Sequence, residues 1–455
     1  MWSILYLLRN DPEKLKWSQR RRGLDESVVD EALRLDLEWR KKLGELNDLR
    51  HRHNVISREI ARLRGVEREE KIREAKRLQE EITKLEAEVE EVKRRRDKLL
   101  LSIPNVVHES VPVGVDENDN VPIRFWGKHR VWRGHEEQFL EQTKGFDVEY
   151  EVIDWKPTGH ADALELLGMG DTLRAARAAG SRFFYLFDDL VWLDIALQLY
   201  ALDNLTRWGF RPCMPPYMLR RRAYEGVTAL SDFEDAIYKV EGEDLYLIAT
   251  SEHPMATLYM GEIIEEQDLP ILLAGMSPCF RKEAGAHGKD MKGIFRVHQF
   301  HKIEQFVFCL PEESWEWHEK LIENAERLWR GLELPYRIVN ICTGDLGVVA
   351  AKKYDLETWM PAQGRYREMV SCSNCTDWQS YRLGIRFRRR KGMEKGYVHT
   401  LNSTAIASTR AITAILENYQ EPDGSVVVPK VLRPYLELFE EAPKEVIEPR
   451  RHSKT

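Results

Sequence analysis

Between Ser27 and Leu101 there is no proline, and the only glycines are Gly44 and Gly65. Within this stretch Leu35, Trp39, Leu46, Leu49, Ile56, Ile60 and Leu63 recur in steps of three and four or their sums. A second run reads Ala75, Leu78, Ile82, Leu85, Val89, Val92 and Leu99. Both are heptad patterns, which bury one seam of a helix against a partner helix. The register breaks at "RGVEREEK", where Gly65 is placed to end the first helix, since glycine readily takes the left-handed conformation found past helix ends. Two helices joined by so short a connection fold back antiparallel. Arms of about 38 residues would be roughly 55–60 Å long at 1.5 Å per residue. A globular core needs far less, so the hairpin is expected to stand out into solvent.

The rod carries "RHRH" at Arg50–His53, then Arg58, Arg62 and Arg64, and "KRRRDK" at Lys93–Lys98. Glutamates are abundant beside them. A solvated face of mixed charge and a contact surface for a phosphate backbone both fit that pattern.

The chain has 455 residues, too many for one compact core, so at least a second domain is expected. Its net charge of −7 excludes a polycation, and nucleic-acid binding would have to come from a local basic surface. Six cysteines do not make a disulfide scaffold at this length. "MWSILYLLRNDPEK" lacks a basic leader region, and no apolar run approaches the roughly 20 residues of a membrane span. The expectation is a soluble cytoplasmic protein with no membrane partner.

"SIPNVVHESVPVGVDENDNVP" (Ser102–Pro122) has proline and glycine punctuation and no helical period, and reads as a linker. Beyond it helix and strand signals alternate. Phe187–Phe210 is an amphipathic helix ending at Gly209, followed by the extended "RPCMPPYMLR". Asp244–Thr250 and Met276–Gly285 are strand candidates, and Tyr397–Tyr419 reads as strand, turn, helix. Short connections favour antiparallel pairing. The fold class is therefore α+β: a long antiparallel helical hairpin, then a body built on an antiparallel sheet flanked by helices.

"GIFRVHQFHKIEQF" (Gly293–Phe306) splits by parity. Read as a strand, it puts Arg296, His298, Phe300, Lys302, Glu304 and Phe306 on one face, with Val297, Gln299, His301, Ile303 and Gln305 on the other. The two histidines then point apart, which argues against a metal pair. The stretch joins "CFRKEAG" through a loop holding Gly285, Gly288 and Gly293, so a hairpin with a long tip is expected. One face would offer Arg281, Glu283, Arg296, Phe300 and Glu304: guanidiniums for phosphate or carboxylate, and an aromatic plate. A surface hairpin laced by cross-strand salt bridges fits the same pattern.

"FRKE" with "FRVHQFHKIEQ" resembles motif 2 of the class II aminoacyl-tRNA synthetases, in the form found in the seryl-tRNA synthetase family. "PCMPPYMLR", with Pro216, resembles motif 1, the dimer-forming element; "LNSTAIASTRAI", with Arg410, resembles motif 3. "ATSEH" (Ala249–His253) is similar to that family's serine loop, and Tyr366–Arg388 is close to its corresponding stretch. The motifs occur in order, and the resemblance covers essentially the whole chain. It is to the ordinary form, not the zinc-dependent one. Implied is a tRNA-binding arm at 1–103 (coiled coil about 27–101), a linker at 104–120 and a catalytic domain at 121–455. Within the last, motif 1 lies at about 187–220, motif 2 at 276–306 and motif 3 at 397–419.

The resemblance also implies roles. Arg281 would grip the α-phosphate and the serine carboxylate, Glu283 the adenine side of ATP, and Arg296 the distal phosphates. Phe300 would stack on adenine, with backbone contacts near Val297, and Arg410 would clamp ATP from the other side. Lys282, Met369 and Val370 lie within the implied ATP-binding stretches, and Glu368 and Ser371 would hold ATP and Mg²⁺. Thr250, Ser251 and Glu252, with Glu304, would surround the amino group of serine, and Asn402 and Thr404 its hydroxyl end. Arg281, Glu368 and Arg410 would carry the catalysis. Implied partners are serine, tRNA(Ser), tRNA(Sec) where it exists, and a second subunit, the tRNA bridging both.

Cys372 and Cys375 form a CxxC, but no second pair follows at finger spacing, and packed thiols are the better account. A ligase that loads a carrier protein would lack the arm. A non-catalytic RNA-binding homologue would be expected to have lost Arg281, Glu283, Phe300, Glu304 or Arg410, and all are present.

Overall fold

The computed structural model describes residues 3–229, 236–283, 290, 292–389 and 395–449. The chain divides into two compact units, Met1–Val106 and Val107–Thr455.

The first unit opens with two short helices, α1 (Ser3–Asn10) and α2 (Pro12–Arg21). Asp11 caps α2 by accepting from the Lys14 N–H, with Pro12 pre-set at the first helical position. Two long helices follow, α3 (Ser27–Ile60) and α4 (Gly65–Ser102), of 34 and 38 residues. They pack along the expected seam: Leu46, Ile82 and Val89 are buried, with Trp39, Leu43, Leu49 and Leu85 against them. Gly65 does not end the first helix. That helix stops at Ile60, and Gly65, at φ +63°, is the first residue of the second. The glycine is used to enter the second arm after the reversal, where a side chain at that φ would be strained.

The seam also departs from pattern at its base. Leu99 is only half-buried, while Leu100 and Arg96 are buried at 1% and 6% exposure. The Arg96 guanidinium lies 4.3 Å from the Trp39 ring centre and 3.1 Å from Asp36 Oδ1. Asp36 is fully buried and also receives Arg9 and Arg40.

The second unit is built on one sheet of eight strands: β1 (Val121–Trp126), β2 (Arg211–Cys213), β3 (Ile271–Phe280), β4 (Gln299–Cys309), β5 (Tyr336–Asn340), β6 (Lys352–Met360), β7 (Arg365–Thr376) and β8 (His399–Ala407). Their spatial order is β1-β5-β6-β7-β8-β4-β3-β2. Every pairing is antiparallel except that of β2 with β3. Three helices, α5 (Asp189–Arg207), α6 (Ser314–Gly331) and α7 (Ser408–Asn418), supply much of the main core. They pack with Ile303, Val307, Leu356, Val370, Leu401 and Ala405 of the strands. Helix α5 matches the expected one, with Gly209 at φ +91° just past its end.

Several expected boundaries shift. Asp244–Thr250 yields only the two-residue strand Tyr246–Leu247. The 397–419 segment has no turn between strand and helix, because β8 runs directly into α7. Between the end of α4 at Ser102 and the start of β1 at Val121, the segment expected as a linker is irregular apart from a short turn of helix at Glu117–Asp119. It is nonetheless bonded to the sheet unit: His108 donates to the Ala351 carbonyl, and Thr343 donates to that of Pro112.

Candidate active site

Strand register decides which side chains meet. Glu304 of β4 stands opposite Thr404 of β8 on one side and Gly275 of β3 on the other. Opposed residues share a face, so Lys302, Glu304, Asn402 and Thr404 line one side of the sheet. A bulge in the β4–β8 pairing leaves Ala405 unpaired and keeps Thr404 opposite Glu304. A second bulge, in the β6–β7 pairing, leaves Met369 unpaired. Glu368 then pairs with Glu357, and Ser371 with Asp355, so two residues three apart come to one face. Without the bulge, period-two alternation would send Glu368 and Ser371 to opposite faces.

Gly275 serves a different purpose. A Cβ there would sit 2.6 Å from the thioether of Met255 and 3.1 Å from Ser251 Cβ. Its absence lets the segment Thr250–Ala256 lie against β3. Glu252 opens the short helix Glu252–Ala256 in that segment.

Thr250, Glu252, Glu304 and Thr404 are linked through Lys302 and through the Glu252 N–H, which donates to Thr250 Oγ1 at 3.2 Å. Lys302 Nζ donates to Thr250 Oγ1 at 2.6 Å and to Glu304 Oε2 at 2.5 Å. Thr404 Oγ1 donates to the same Glu304 oxygen at 3.3 Å. Glu252 Oε1 accepts from Gln379 Nε2 at 2.8 Å, and Gln379 Oε1 accepts from Thr400 at 2.7 Å, which fixes the amide's orientation. Asn402 Nδ2 points to Cys375 Sγ at 3.5 Å. Ser251 is fully buried and bonded to Ser277 at 2.7 Å, so its hydroxyl is already committed within the protein. Burial, then the charge of Glu304, pushes the Glu252 carboxyl up to about 7. Burial also raises Glu304, against the pull of Lys302.

On the phosphate side, Arg281 donates from Nε to the Ala249 carbonyl at 3.2 Å, and its guanidinium lies 5.2 Å from the Phe300 ring centre. Arg410, in the first turn of α7, reaches the Glu368 carboxylate and carbonyl, each at 3.0 Å. The charge of Arg410 holds Glu368 well below the usual carboxylate range, so that carboxylate stays ionised. Met369 and Val370 have side chains in the core, leaving only their backbone to meet a ligand.

The parity reading of Gly293–Phe306 holds only in part. The strand begins at Gln299, so Arg296 and His298 do not lie on it. Arg296 instead bonds Glu283 Oε2 at 3.1 Å and lies 3.7 Å from Asp290. Val297 is buried in the core. Glu283 lies beyond the end of β3, at φ +52°, and the Lys282 N–H donates to the Ala236 carbonyl. The loop glycines Gly285 and Gly288 lie outside the described residues. The histidines do separate: His301 is 3.0 Å from Asp194 of α5, while His298 Nδ1 lies 2.7 Å from the Arg281 carbonyl. With the backbone bond from Arg281 N–H to the His298 carbonyl, His298 pins the chain at Arg281. Cys372 Sγ faces the His318 carbonyl at 3.7 Å, and both CxxC thiols are buried and raised by burial.

Three residues escaped the sequence reading: Lys302, Gln379 and His298. Parity had put Lys302 and His298 on the ligand side without giving either a role. For Gln379 no local signal exists.

The chain resembles known proteins over nearly its whole length. The model of the seryl-tRNA synthetase N-terminal domain matches residues 5–107, and that of the tRNA synthetase class II core domain (G, H, P, S and T) matches 237–419. The serine--tRNA ligase of Hyperthermus butylicus is 63% identical over 452 residues, 98% of each chain. The crystal structure of seryl-tRNA synthetase from Pyrococcus horikoshii complexed with ATP is 58% identical. It superposes with a TM-score of 0.93, over 98% of this chain and 99% of that one. The cytoplasmic serine-tRNA ligase from Naegleria fowleri in complex with AMP is 39% identical, with a TM-score of 0.84 over 97% and 96%.

Proposed function

Since the chain belongs to the seryl-tRNA synthetases, class II aminoacyl-tRNA synthetases, we propose that it joins serine to ATP as seryl-adenylate and then passes the seryl group to the terminal adenosine of tRNA(Ser). The observation that carries this reading for the chain's own residues is the shared sheet face. Thr250, Glu252, Glu304 and Thr404 meet there, beside Arg281 and the Arg410–Glu368 pair.

In the first step the serine carboxylate attacks the α-phosphorus in line and pyrophosphate leaves. The protein's task is positioning and neutralising negative charge. Arg281 holds the two reacting anions together, and Arg410 closes on the nucleotide. Phe300 gives adenine a stacking surface, with Glu283 at its edge, and Arg296 meets the distal phosphates. Glu252, Glu304 and Thr250 take the substrate ammonium, and Thr404 and Asn402 the hydroxyl. Alanine and glycine leave those groups unpaired and are rejected for that reason. Glu368 and Ser371 offer an ionised carboxylate and a hydroxyl on one face, hard oxygen donors of the kind Mg²⁺ prefers. The ion, when bound there, adds positive charge against the phosphates. In the second step the 3′-terminal hydroxyl of tRNA attacks the adenylate's carbonyl carbon, and AMP leaves.

The arm is the tRNA-holding unit in this reading. Many of its cations are already spent: Lys42 pairs with Glu88, Arg50 with Glu86, Arg94 with Glu91 and Arg96 with Asp36. Among the described residues Arg52, Arg58, Arg62, Arg64, Arg68 and Arg77 have no such partner, and these suit phosphate contacts. The working unit is a homodimer through the motif 1 segment at about 187–220, with one tRNA spanning both subunits, in the cytoplasm. tRNA(Sec) is charged by the same route where it exists. ATP–pyrophosphate exchange across the twenty amino acids tests the first step. Serine alone should support it, and exchange with another amino acid but not serine would refute the reading.

A further inference from the structure

Lys302 sits on β4 between Phe300 and Glu304, with its side chain 7% exposed. An ammonium has three donors and no acceptor. Two of them are spent on Glu304 Oε2 at 2.5 Å and Thr250 Oγ1 at 2.6 Å. Those are the acceptors that the proposed function gives to the ammonium of the substrate. A charged group of this chain thus already stands where the incoming one must bind.

The charges give the consequence. Glu252 and Glu304 bring two potential negative charges to a buried pocket, and Lys302 brings one positive. Like carboxylates in a dry site cannot both ionise without compensation. Lys302 offsets one carboxylate and the substrate ammonium offsets the other, while Arg281, which also faces the pocket, answers the substrate carboxylate. Stability alone gives weak grounds for a buried ion pair here, because well-packed apolar residues often replace one without loss.

Resting on the reading that this pocket takes serine, we propose that Lys302 is a positioning and specificity-determining residue. Its ammonium fixes Glu304 and Thr250 and sets the pocket's charge so that one α-ammonium is required for binding. The charged and titratable groups facing it are Glu304 on its own strand, Glu252 and His253 on the 250–256 segment, and Arg281 and Cys279 at the end of β3.

The test is ATP–pyrophosphate exchange by the full-length protein and its Lys302→Met and Lys302→Arg variants, with serine and ATP varied separately across pH. Removing one partner of a buried charge pair should raise KM for serine about 100-fold in Lys302→Met, with KM for ATP within about threefold. Loss of the positive charge should also move the acid limb of kcat/KM for serine up by about one pH unit, while Lys302→Arg leaves it in place. The proposal fails if that limb stays put in a folded Lys302→Met, or if the two KM values rise together. Should Lys302→Met not fold, a limb displaced in Lys302→Arg overturns it. A wild-type protein without serine-dependent exchange overturns the serine reading itself, which separates the two failures.

Discussion

Arg410 Nη1 lies 3.0 Å from Glu368 Oε1 and 3.0 Å from the Glu368 carbonyl, so one guanidinium holds both the side chain and the backbone of its partner. The pair links the first turn of α7 to β7 and leaves a carboxylate ionised well below neutral pH. In Arg410→Ala the depressed Glu368 pKa should rise toward the ordinary carboxylate range of about 4.3. Exchange should fall by about 10²–10³ at neutral pH, the usual cost of removing a preorganised charge from such a site. Exchange within about threefold of wild type, in a variant with unchanged circular dichroism, would contradict the assignment.

Glu252 gives a pH dependence with a definite sign. Burial and the neighbouring Glu304 raise its carboxyl to about 7, so it takes up a proton on acidification earlier than an ordinary glutamate. If the carboxylate binds the substrate ammonium, kcat/KM for serine should drop about tenfold per unit below pH of about 7. The same quantity for ATP should stay level over that range. A serine profile flat to about pH 5 counts against this role for Glu252.

Phe300→Ala tests the stacking surface. Base–aromatic stacking is worth about 1–3 kcal/mol by alanine substitution, so KM for ATP should rise about tenfold or more. KM for serine should change far less, which steady-state exchange kinetics will show directly. Equal changes in both would mean that Phe300 acts on the fold.

Replacing residues 27–101 by a short flexible linker removes a helical hairpin with its own apolar seam. Serine-dependent exchange should persist and tRNA charging should be lost. Full charging by the shortened protein would remove the arm from the mechanism.

Asp36 anchors the base of that arm. Burial pushes its carboxyl up, but the hydrogen bond from Arg9 and the charges of Arg9, Arg96 and Arg40 outweigh this, and the net shift is downward. Its contribution is therefore present above the unfolded value of about 3.9 and is lost as pH falls through the lower folded one. Asp36→Ala leaves arginines without their buried partner and should cost about 3 kcal/mol, read as a lower urea midpoint for the isolated fragment 1–106 if that fragment unfolds cooperatively. An unchanged midpoint would show that the cluster adds nothing to stability.

Particular residues show how far local pattern reaches. The seam of Leu46, Ile82 and Val89 was legible because a heptad repeat needs only a partner helix nearby in sequence. His298 and His301 were correctly separated, yet Arg296 was put on a strand it does not join. Among the described residues the β3–β4 pairing ends at Gln299, and the His298 N–H bonds instead to the Arg182 carbonyl, over a hundred residues earlier in the chain. Arg96 read as part of a solvated cluster because nothing local announces Asp36, sixty residues away across the hairpin. Glu368 and Ser371 could be named only through family resemblance. Their common face depends on a bulge in the pairing of β6 with β7.

The sequence by itself determined the two-part organisation, the hairpin and the identity of the chemical groups. Helical period, proline and glycine placement, and residue type are properties of short stretches. Only the tertiary structure decided how those groups face one another. Register across β3, β4 and β8, the bulges at Met369 and Ala405, and the missing side chain at Gly275 set the distances. Charges interact through space rather than along the chain, so the ionisation of Glu252 and Glu368 and the placement of Lys302 against Thr250 follow only once the strands have paired.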